Sequence, residues 1–382
     1  MKNNRDLIVI LIVILLECSA STFIGPIMPT IIKQLNLPDY TFGTAYSIMS
    51  FACLLSALAW GEIANKIGRV KTFIIGILGY AACQFCFMFA TTEIQVLLAR
   101  GASGIFIAAI NCIELLYIID ISTPETKGRN ILYLSTVTSI SAALGYLVGG
   151  LAGEISVKTT FIVQLVVLVL AAIICIFFVE EKYVPVKADK RNKVKVKIEF
   201  NKLLILLLVI EFISYTTYVV FDESVNYFIK DVFLYTSSIN GILKAVVAII
   251  IFICNIVICR KIMNSHHFSM VYKLIFLMIA IVTTIEGLVN NRVIFFAIYF
   301  VFYGLHALEL SMTQFMITSN SSKENNARIT SIYNLVRSCG QILGGMLAGG
   351  LYMISSTLCF SVVGIMLLFA FGLSMISVKK SI

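Results

Sequence analysis

The chain has 382 residues, of which 59% are hydrophobic and 13% charged. Soluble domains are about a quarter charged, so this composition excludes a water-soluble globular protein and predicts an integral membrane protein. The net charge of +9 is no sign of a nucleic-acid partner, because the basic residues stand in short segments between apolar runs, where membrane topology accounts for them.

A membrane-spanning helix needs ~20 predominantly apolar residues. In chain order such runs lie at Leu7–Ile32, Thr41–Trp60, Thr72–Thr91, Ile94–Ile119, Ile131–Ala152, Thr159–Val179, Leu203–Ile229, Ser237–Cys259, Ser269–Val289, Val293–Ile317, Ile329–Met353 and Thr357–Val378. They predict an all-α integral membrane fold of twelve spans, with both termini on one side. The first run is too long for a signal-peptide core and lacks a small-residue cleavage site, so it is read as a retained helix. Of the 29 lysines and arginines, only Lys33, Lys158, Lys230 and Arg292 fall on the far side of this topology, and Arg100, Lys244 and Arg337 fall within spans. The others place both termini in the cytoplasm. The ten cysteines lie inside apolar runs. Cys83 and Cys86 form a C-x-x-C in mid-span, where small lipid-buried side chains are a simpler reading than a redox or metal site.

The longest connection, Glu180–Lys202, is lysine-rich, with alternating valines over Lys193–Lys197. It divides the chain into a six-helix bundle over 1–180, a basic cytoplasmic linker over 181–202 and a second bundle over 203–382. The linker is either solvated or laid on the anionic inner leaflet. Spans five and eleven both contain G-x-x-x-G-G-L: Gly145, Gly149, Gly150 and Leu151 in one, Gly345, Gly349, Gly350 and Leu351 in the other. Their approaches also match, Glu125 to Arg129 and Glu324 to Arg328. Glycines at this spacing let helices pack closely, and two copies at the offset of a six-helix unit indicate an internal repeat.

A charge at the bilayer centre costs about 2.5–3.5 kcal/mol on insertion scales, which makes each intramembrane charge a functional candidate. Glu17 lies near the middle of span one. In span four, Arg100, Asn111 and Glu114 lie within about 60° of one another at ~100° per residue. Span seven carries Glu211, Tyr215, Tyr218 and Asp222 in a stripe, with Glu223 beside it. Span ten aligns Tyr299, His306 and Thr313, with Glu309 one turn from His306. Plainer readings exist. Glu211 is close enough to an end to snorkel, and Glu223 can sit at the outer interface. Lys244 and Arg337 can pair with acids to hold helices together, and His306 can be a hydrogen-bonded packing residue. Glu17 and Arg100 are the hardest to explain in this way.

Between spans two and three stands Gly61-Glu62-Ile63-Ala64-Asn65-Lys66-Ile67-Gly68-Arg69-Val70-Lys71. It resembles the loop between helices two and three of the major facilitator superfamily, G-x-x-x-D-R-x-G-R-R/K, with Asn65 in the acidic position. Val96-Leu97-Leu98-Ala99-Arg100-Gly101-Ala102-Ser103-Gly104 looks like that superfamily's helix-four motif, R-x-x-x-G. Leu15-Leu16-Glu17, followed by Phe23-Ile24-Gly25 and Met28-Pro29, is similar to helix one of proton-driven multidrug exporters of the Mdf type. The resemblance implies two six-helix bundles that rock about a cavity lined by helices one, four, seven and ten. It implies substrate and proton roles among Glu17, Arg100, Asn111, Glu114, Tyr218, Asp222, His306 and Glu309. It also implies a cytoplasmic gate of Gly61, Asn65, Gly68, Arg69, Lys71 and Asp120, where Asp120 pairs with Arg69 and, with Asn65 neutral, carries the latch alone. Tyr146 departs from the glycine-proline pair that drug/proton antiporters usually carry in helix five.

The leading expectation is a proton-coupled exporter of small lipophilic or cationic compounds. Glu17 would exchange a proton for substrate, its proton affinity offset in part by Arg100 if the two approach; His306 would be a second carrier. Tyr215, Tyr218, Tyr299 and Tyr303 would offer ring faces to cations. No metal or cofactor is expected, the proton gradient being the energy source. The expected partners are a small-molecule substrate, protons and the bilayer, and the protein is expected to be a monomer. The alternative is a transporter of a polar metabolite, a sugar or organic anion, with Arg100, Lys244 and Arg337 as anchors. A membrane enzyme or receptor is remote: the histidines are His266, His267 and His306, none at metal-ligand spacing, and no loop is long enough for a catalytic domain.

Overall fold

The computed structural model describes residues 2–123, 125–183, 202–263, 267–289, 291–319 and 326–377, and the regular elements among them are all helical. Residues 184–201 of the linker, Glu324 and His266 lie outside the described residues. Hydrocarbon offers backbone groups no partner, so a span must satisfy its own N–H and C=O groups as a helix. The helices are α1 (Lys2–Thr22), α2 (Ile24–Gln34), α3 (Thr41–Ile67), α4 (Arg69–Met88), α5 (Glu93–Asp120), α6 (Lys127–Ile155), α7 (Val157–Phe178), α8 (Lys202–Asp231), α9 (Ser237–Ile253), α10 (Arg260–Met263), α11 (Phe268–Glu286), α12 (Arg292–Ser319), α13 (Asn326–Ile354) and α14 (Leu358–Ser377), with a π-helical turn, Cys254–Cys259, between α9 and α10. Among the described residues, 11 segments are long and apolar enough to cross a membrane, with α1 and α2 together making one of them, Arg5–Gln34. The expected eleventh span, α13, is a full-length helix, but Asn334, Arg337, Ser338 and Gln341 make it more polar than the rest. Leu58, Ile155 and Phe177, exposed by 84%, 77% and 74%, are side chains of the kind that face lipid.

The chain forms two compact units: Met1–Ala188 with Asn226–Ile249, and Asp189–Val225 with Ile250–Ile382. The end of α8 and most of α9 therefore group with the first unit. In that unit α1 packs on α6 and α7, and α3 and α4 pack on α5, around Val13, Ile14, Phe73, Tyr80, Ile113 and Leu168. Short turns are capped: Thr92 and Gln95 form a capping box at α5, and the Ser156 hydroxyl accepts the Thr159 N–H at 3.0 Å at α7. Proline chemistry explains the grouping of 226–249. Pro29 has no N–H, so the Gly25 carbonyl four residues before it is left free. The Asn226 amide donates to that carbonyl at 3.0 Å, and Asn240 donates to the Pro26 carbonyl at 3.2 Å and to Asn226 Oδ1 at 2.6 Å. Lys33 then bridges Asp231 at 2.7 Å and Asp39 at 3.2 Å, and the Tyr227 hydroxyl donates to Asp39.

The glycine motif of α6 lies at these contacts. A Cβ on Gly149 would fall 2.5 Å from Phe23 Cα and 2.8 Å from its carbonyl carbon, at the break between α1 and α2. One on Gly150 would fall 2.8 Å from Gly241 Cα of α9. The second copy behaves differently. Gly345 and Gly349 are buried, but Gly350 is exposed, with nothing within 4 Å of where its Cβ would stand. The packing role expected of Gly350 is absent because it faces away from its neighbours. In the second unit the close approach of α13 to α8 is made by Gly344 instead, whose Cβ would meet Val219 Cβ at 2.7 Å.

Gly149→Ala should therefore force α6 off the α1–α2 break and cost about 1–3 kcal/mol, as overpacking does. Gly350→Ala should be neutral or slightly stabilising, since alanine is the better helix former. Thermal unfolding of the two purified variants checks this, and equal effects would remove the contact assigned to Gly149.

Candidate functional site

In the first unit α1 and α5 bring two carboxyls together inside the bundle. Glu17 is 1% exposed and Glu114 7%. The Cys18 thiol donates to Glu114 Oε1 at 3.4 Å. An oxygen of each acid and the Cys18 sulfur lie within 4.8 Å of one another, so among the described residues Glu17, Cys18 and Glu114 are placed to share an ion. Glu17 Oε1 has no hydrogen-bond partner. Arg100 makes no ion pair with Glu17 among the described residues; it is half-buried with its Nε unpartnered. On α5 it stands ~21 Å from Glu114 at 1.5 Å per residue. Tyr80 lies within electrostatic reach of both Glu17 and Arg100, and its hydroxyl donates to the Ser21 carbonyl at 3.4 Å. Asn111 is exposed and is not joined to the pair by any hydrogen bond among the described residues.

In the second unit α8 and α12 build a different arrangement around Glu309, which is fully buried. Ser214 donates to Glu309 Oε2 at 2.6 Å, Thr313 donates to Oε1 at 2.8 Å, and the Thr313 and Tyr272 hydroxyls share a hydrogen bond of 2.9 Å. His306 bonds the Ser214 carbonyl through Nε2 at 3.1 Å, which makes Nε2 the N–H donor. Its Nδ1 has no hydrogen-bond partner and lies 3.8 Å from Glu309 Oε2. The Tyr303 hydroxyl donates to Asp222. Tyr218 packs against the His306 ring at 5.0 Å and Tyr215 at 5.8 Å between centroids. Tyr215, Tyr218, Tyr303, His306, Tyr333 and Arg337 line a cavity of about 260 Å³.

Three residues of this unit stand out beyond the predicted set. Glu211 does not snorkel: it is fully buried, and Arg337 of α13 lies 3.7 Å from it. Arg337 also lies over the Tyr215 ring at 4.3 Å. Both were visible in the sequence as charges within spans, but their pairing was not. Glu286 on α11 is 1% exposed, and neither carboxyl oxygen has a hydrogen-bond partner.

At the α3–α4 turn, Gly68 has a φ of 100°, which glycine adopts at low cost. Arg69, 5% exposed, donates from Nε to Asp120 Oδ2 at 3.0 Å and from Nη1 to Asn65 Oδ1 at 2.8 Å. Asp120 is thus not the sole partner of Arg69. The Asn65 amide keeps a hydrogen bond and loses the charge. Gly61 stands in open space and Lys71 is exposed, so neither is drawn into the cluster.

Apolar helices enclosing ionisable side chains, with no strand among the described residues, make this a multi-pass membrane protein. The chain belongs to the Major Facilitator Superfamily, whose sequence model matches residues 10–308, and so moves small molecules by alternating access. Multidrug resistance protein 1 of Bacillus subtilis (strain 168) is 23% identical over 364 residues, covering 91% of this chain and 90% of the relative. Quinolone resistance protein NorA of Staphylococcus aureus (strain MRSA252) is 21% identical over 370 residues, 91% of this chain and 90% of the relative. A bacterial homolog of the human lysosomal transporter Spinster, solved in an inward-facing and occupied conformation, shares the fold, with a TM-score of 0.82 at 15% identity over 98% of this chain and 96% of that one.

Glu309→Ala should leave the Ser214 and Thr313 hydroxyls without their buried acceptor and cost about 1–3 kcal/mol. Glu309→Gln, which keeps one acceptor oxygen, should cost less. Thermal unfolding checks the order, and a Gln variant as unstable as the Ala variant would mean that the hydroxyls find other partners.

Proposed function

We propose that this transporter is a proton-coupled exporter of small lipophilic or cationic compounds, set in the cytoplasmic membrane with both termini in the cytoplasm. The observation that carries the reading is the pair Glu17 and Glu114, buried together with no cationic side chain paired to either among the described residues. Two carboxyls in an apolar bundle need a counter-charge. Protons supply it in one state and a cationic substrate in the other, and exchange of one for the other couples export to the proton gradient. The relatives named for multidrug and quinolone resistance support drug-like cargo. The aromatic cavity of the second unit suits such cargo, since ring faces attract both apolar surfaces and cations. There Arg337 is already held by Glu211, which lowers its appeal to an anion. His306, with an open Nδ1 near Glu309, is the second proton carrier in this reading, and Arg69 with Asp120 is the cytoplasmic latch.

One observation favours the second reading, a transporter of a polar anion: the Arg100 Nε is buried and unpartnered.

Proteoliposomes under an imposed pH gradient separate the two. The parent chain should move a cationic dye, and Glu17→Gln should lose gradient-driven movement by at least ~10-fold, the size of one lost charge-assisted contact. Saturation by a single organic anion, with no dye movement, would favour the Arg100 reading. For the latch, Asp120→Asn should shift the balance of inward- and outward-open forms about three- to tenfold, read as spin-label distances between the ends of α6 and α11. An unchanged distribution would remove the latch.

A further inference from the structure

The α3–α4 turn is basic: Lys66, Arg69 and Lys71 stand within six positions, Asp120 pairs with Arg69, and the residue in the acidic position is Asn65. A second acid reaches the turn from a distant part of the chain. α7 ends at Phe178, and the residues after it fold back onto the turn. Glu181 Oε2 accepts the Val70 N–H at 2.9 Å, and Glu181 Oε1 accepts the N–H of Tyr183 at 3.2 Å. The Val70 N–H belongs to the first turn of α4, where backbone donors have no partner within the helix and a negative charge is favoured by the helix dipole.

Gly68 makes room for this. A Cβ there would lie 2.9 Å from the Glu181 carboxyl carbon, in addition to the strain of φ 100°. The Tyr183 ring covers the Arg69 guanidinium at 4.0 Å. Lys182 anchors the segment from the other side, 2.9 Å from Asp6, which is buried on α1, and 2.9 Å from Glu180. The Glu180 carbonyl in turn accepts the Tyr117 hydroxyl at 2.8 Å. These contacts fasten residues 180–183 across the ends of α1, α4 and α5.

We infer that Glu181 supplies the turn with the negative charge that Asn65 lacks, so that the start of the linker is a positioning part of the latch. The inference rests on reading this turn as the gate. The carboxylate acts through the α4 N-terminus, next to Arg69 under the Tyr183 ring, and touches no substrate. Its charge is interchangeable with one at position 65, because both stand at the same basic turn, Glu181 on the Val70 N–H beside Arg69 and position 65 on the Arg69 guanidinium.

The test is a rescue in the full-length chain. Spin labels are placed through unnatural amino acids at Lys127 and Lys273, leaving the native cysteines untouched, and inward- and outward-open populations are read from their distances. Glu181→Gln keeps the shape and removes the charge. It should shift the populations about fivefold, as loss of a side-chain cap does, and should speed hydrogen exchange at the Val70 amide. Adding Asn65→Asp to Glu181→Gln should restore the parent populations while the Val70 amide stays fast, because the new carboxylate reaches Arg69 and not the α4 N–H. A Glu181→Gln distribution identical to the parent would overturn the inference, and so would a double variant no closer to the parent than the single. These distances need no substrate: a parent chain that moves no dye would defeat the exporter reading, while the role of Glu181 would still stand or fall on the populations.

Discussion

Within a bilayer a polar group has only the protein to bond to, and that constraint decides how the helices of this transporter meet. Pro29 shows it in the backbone. Its missing N–H frees the Gly25 carbonyl, and the group that answers is Asn226, 201 positions further on. Asn240 then bonds both Asn226 and the Pro26 carbonyl. One proline in the first span thus specifies which part of α8 and α9 belongs to the first compact unit. The Gly149 approach to Phe23 is the steric counterpart, since a broken helix and a side-chain-free helix can come closer than two regular ones.

The same constraint separates the buried acids into two kinds. Both oxygens of Glu309 accept hydroxyl donors, and the hydroxyls continue to Tyr272. An acid so held is fixed in position and orders the helices around it. Glu17 has an open oxygen, and its nearest ionisable neighbours are another carboxyl and a thiol. A group left with unmet need inside the bundle is one that a mobile cation or proton can satisfy and leave again. Burial alone does not distinguish the two acids, because both are almost fully enclosed. The difference lies in the donors around them.

Much of this was legible in the sequence, and the limits follow from range. Apolar runs report the spans because a helix must be about as long as hydrocarbon is thick. Arg69 and Asp120 were legible because the turn motif implied a partner at the end of span four. Glu17 and Glu114 were each marked by the cost of an intramembrane charge, but their pairing joins two spans far apart in the chain, and spacing along one helix cannot see it. Whether Arg100 approaches Glu17 was open for the same reason: a helical stripe tells which face a residue shares, and not how far along a neighbouring helix it stands. The strap of residues 180–183 left no signal, because glutamate, lysine and tyrosine after a span read as any solvated loop. Gly350 matched its repeat in sequence yet faces open space, so a motif copied from one bundle to the other does not carry its contacts with it.

Tyr146 shows how a departure from a family pattern can be answered elsewhere in the fold. A proline at this position would leave the carbonyl four residues earlier without its helical donor and bend α6. With tyrosine, α6 remains regular through Lys127–Ile155, and the ring lies 3.1 Å from where a Gly25 Cβ would stand. On its other side the Lys244 ammonium of α9 lies 5.5 Å from the ring centroid, in range of its quadrupole. The ring therefore sits between the broken first span and α9, beside the Gly150–Gly241 crossing. The break in this group of helices lies instead at Phe23, between α1 and α2, and α6 packs against it through Gly145 and Gly149. The irregularity thus stands in the first span rather than in α6, six residues from Glu17.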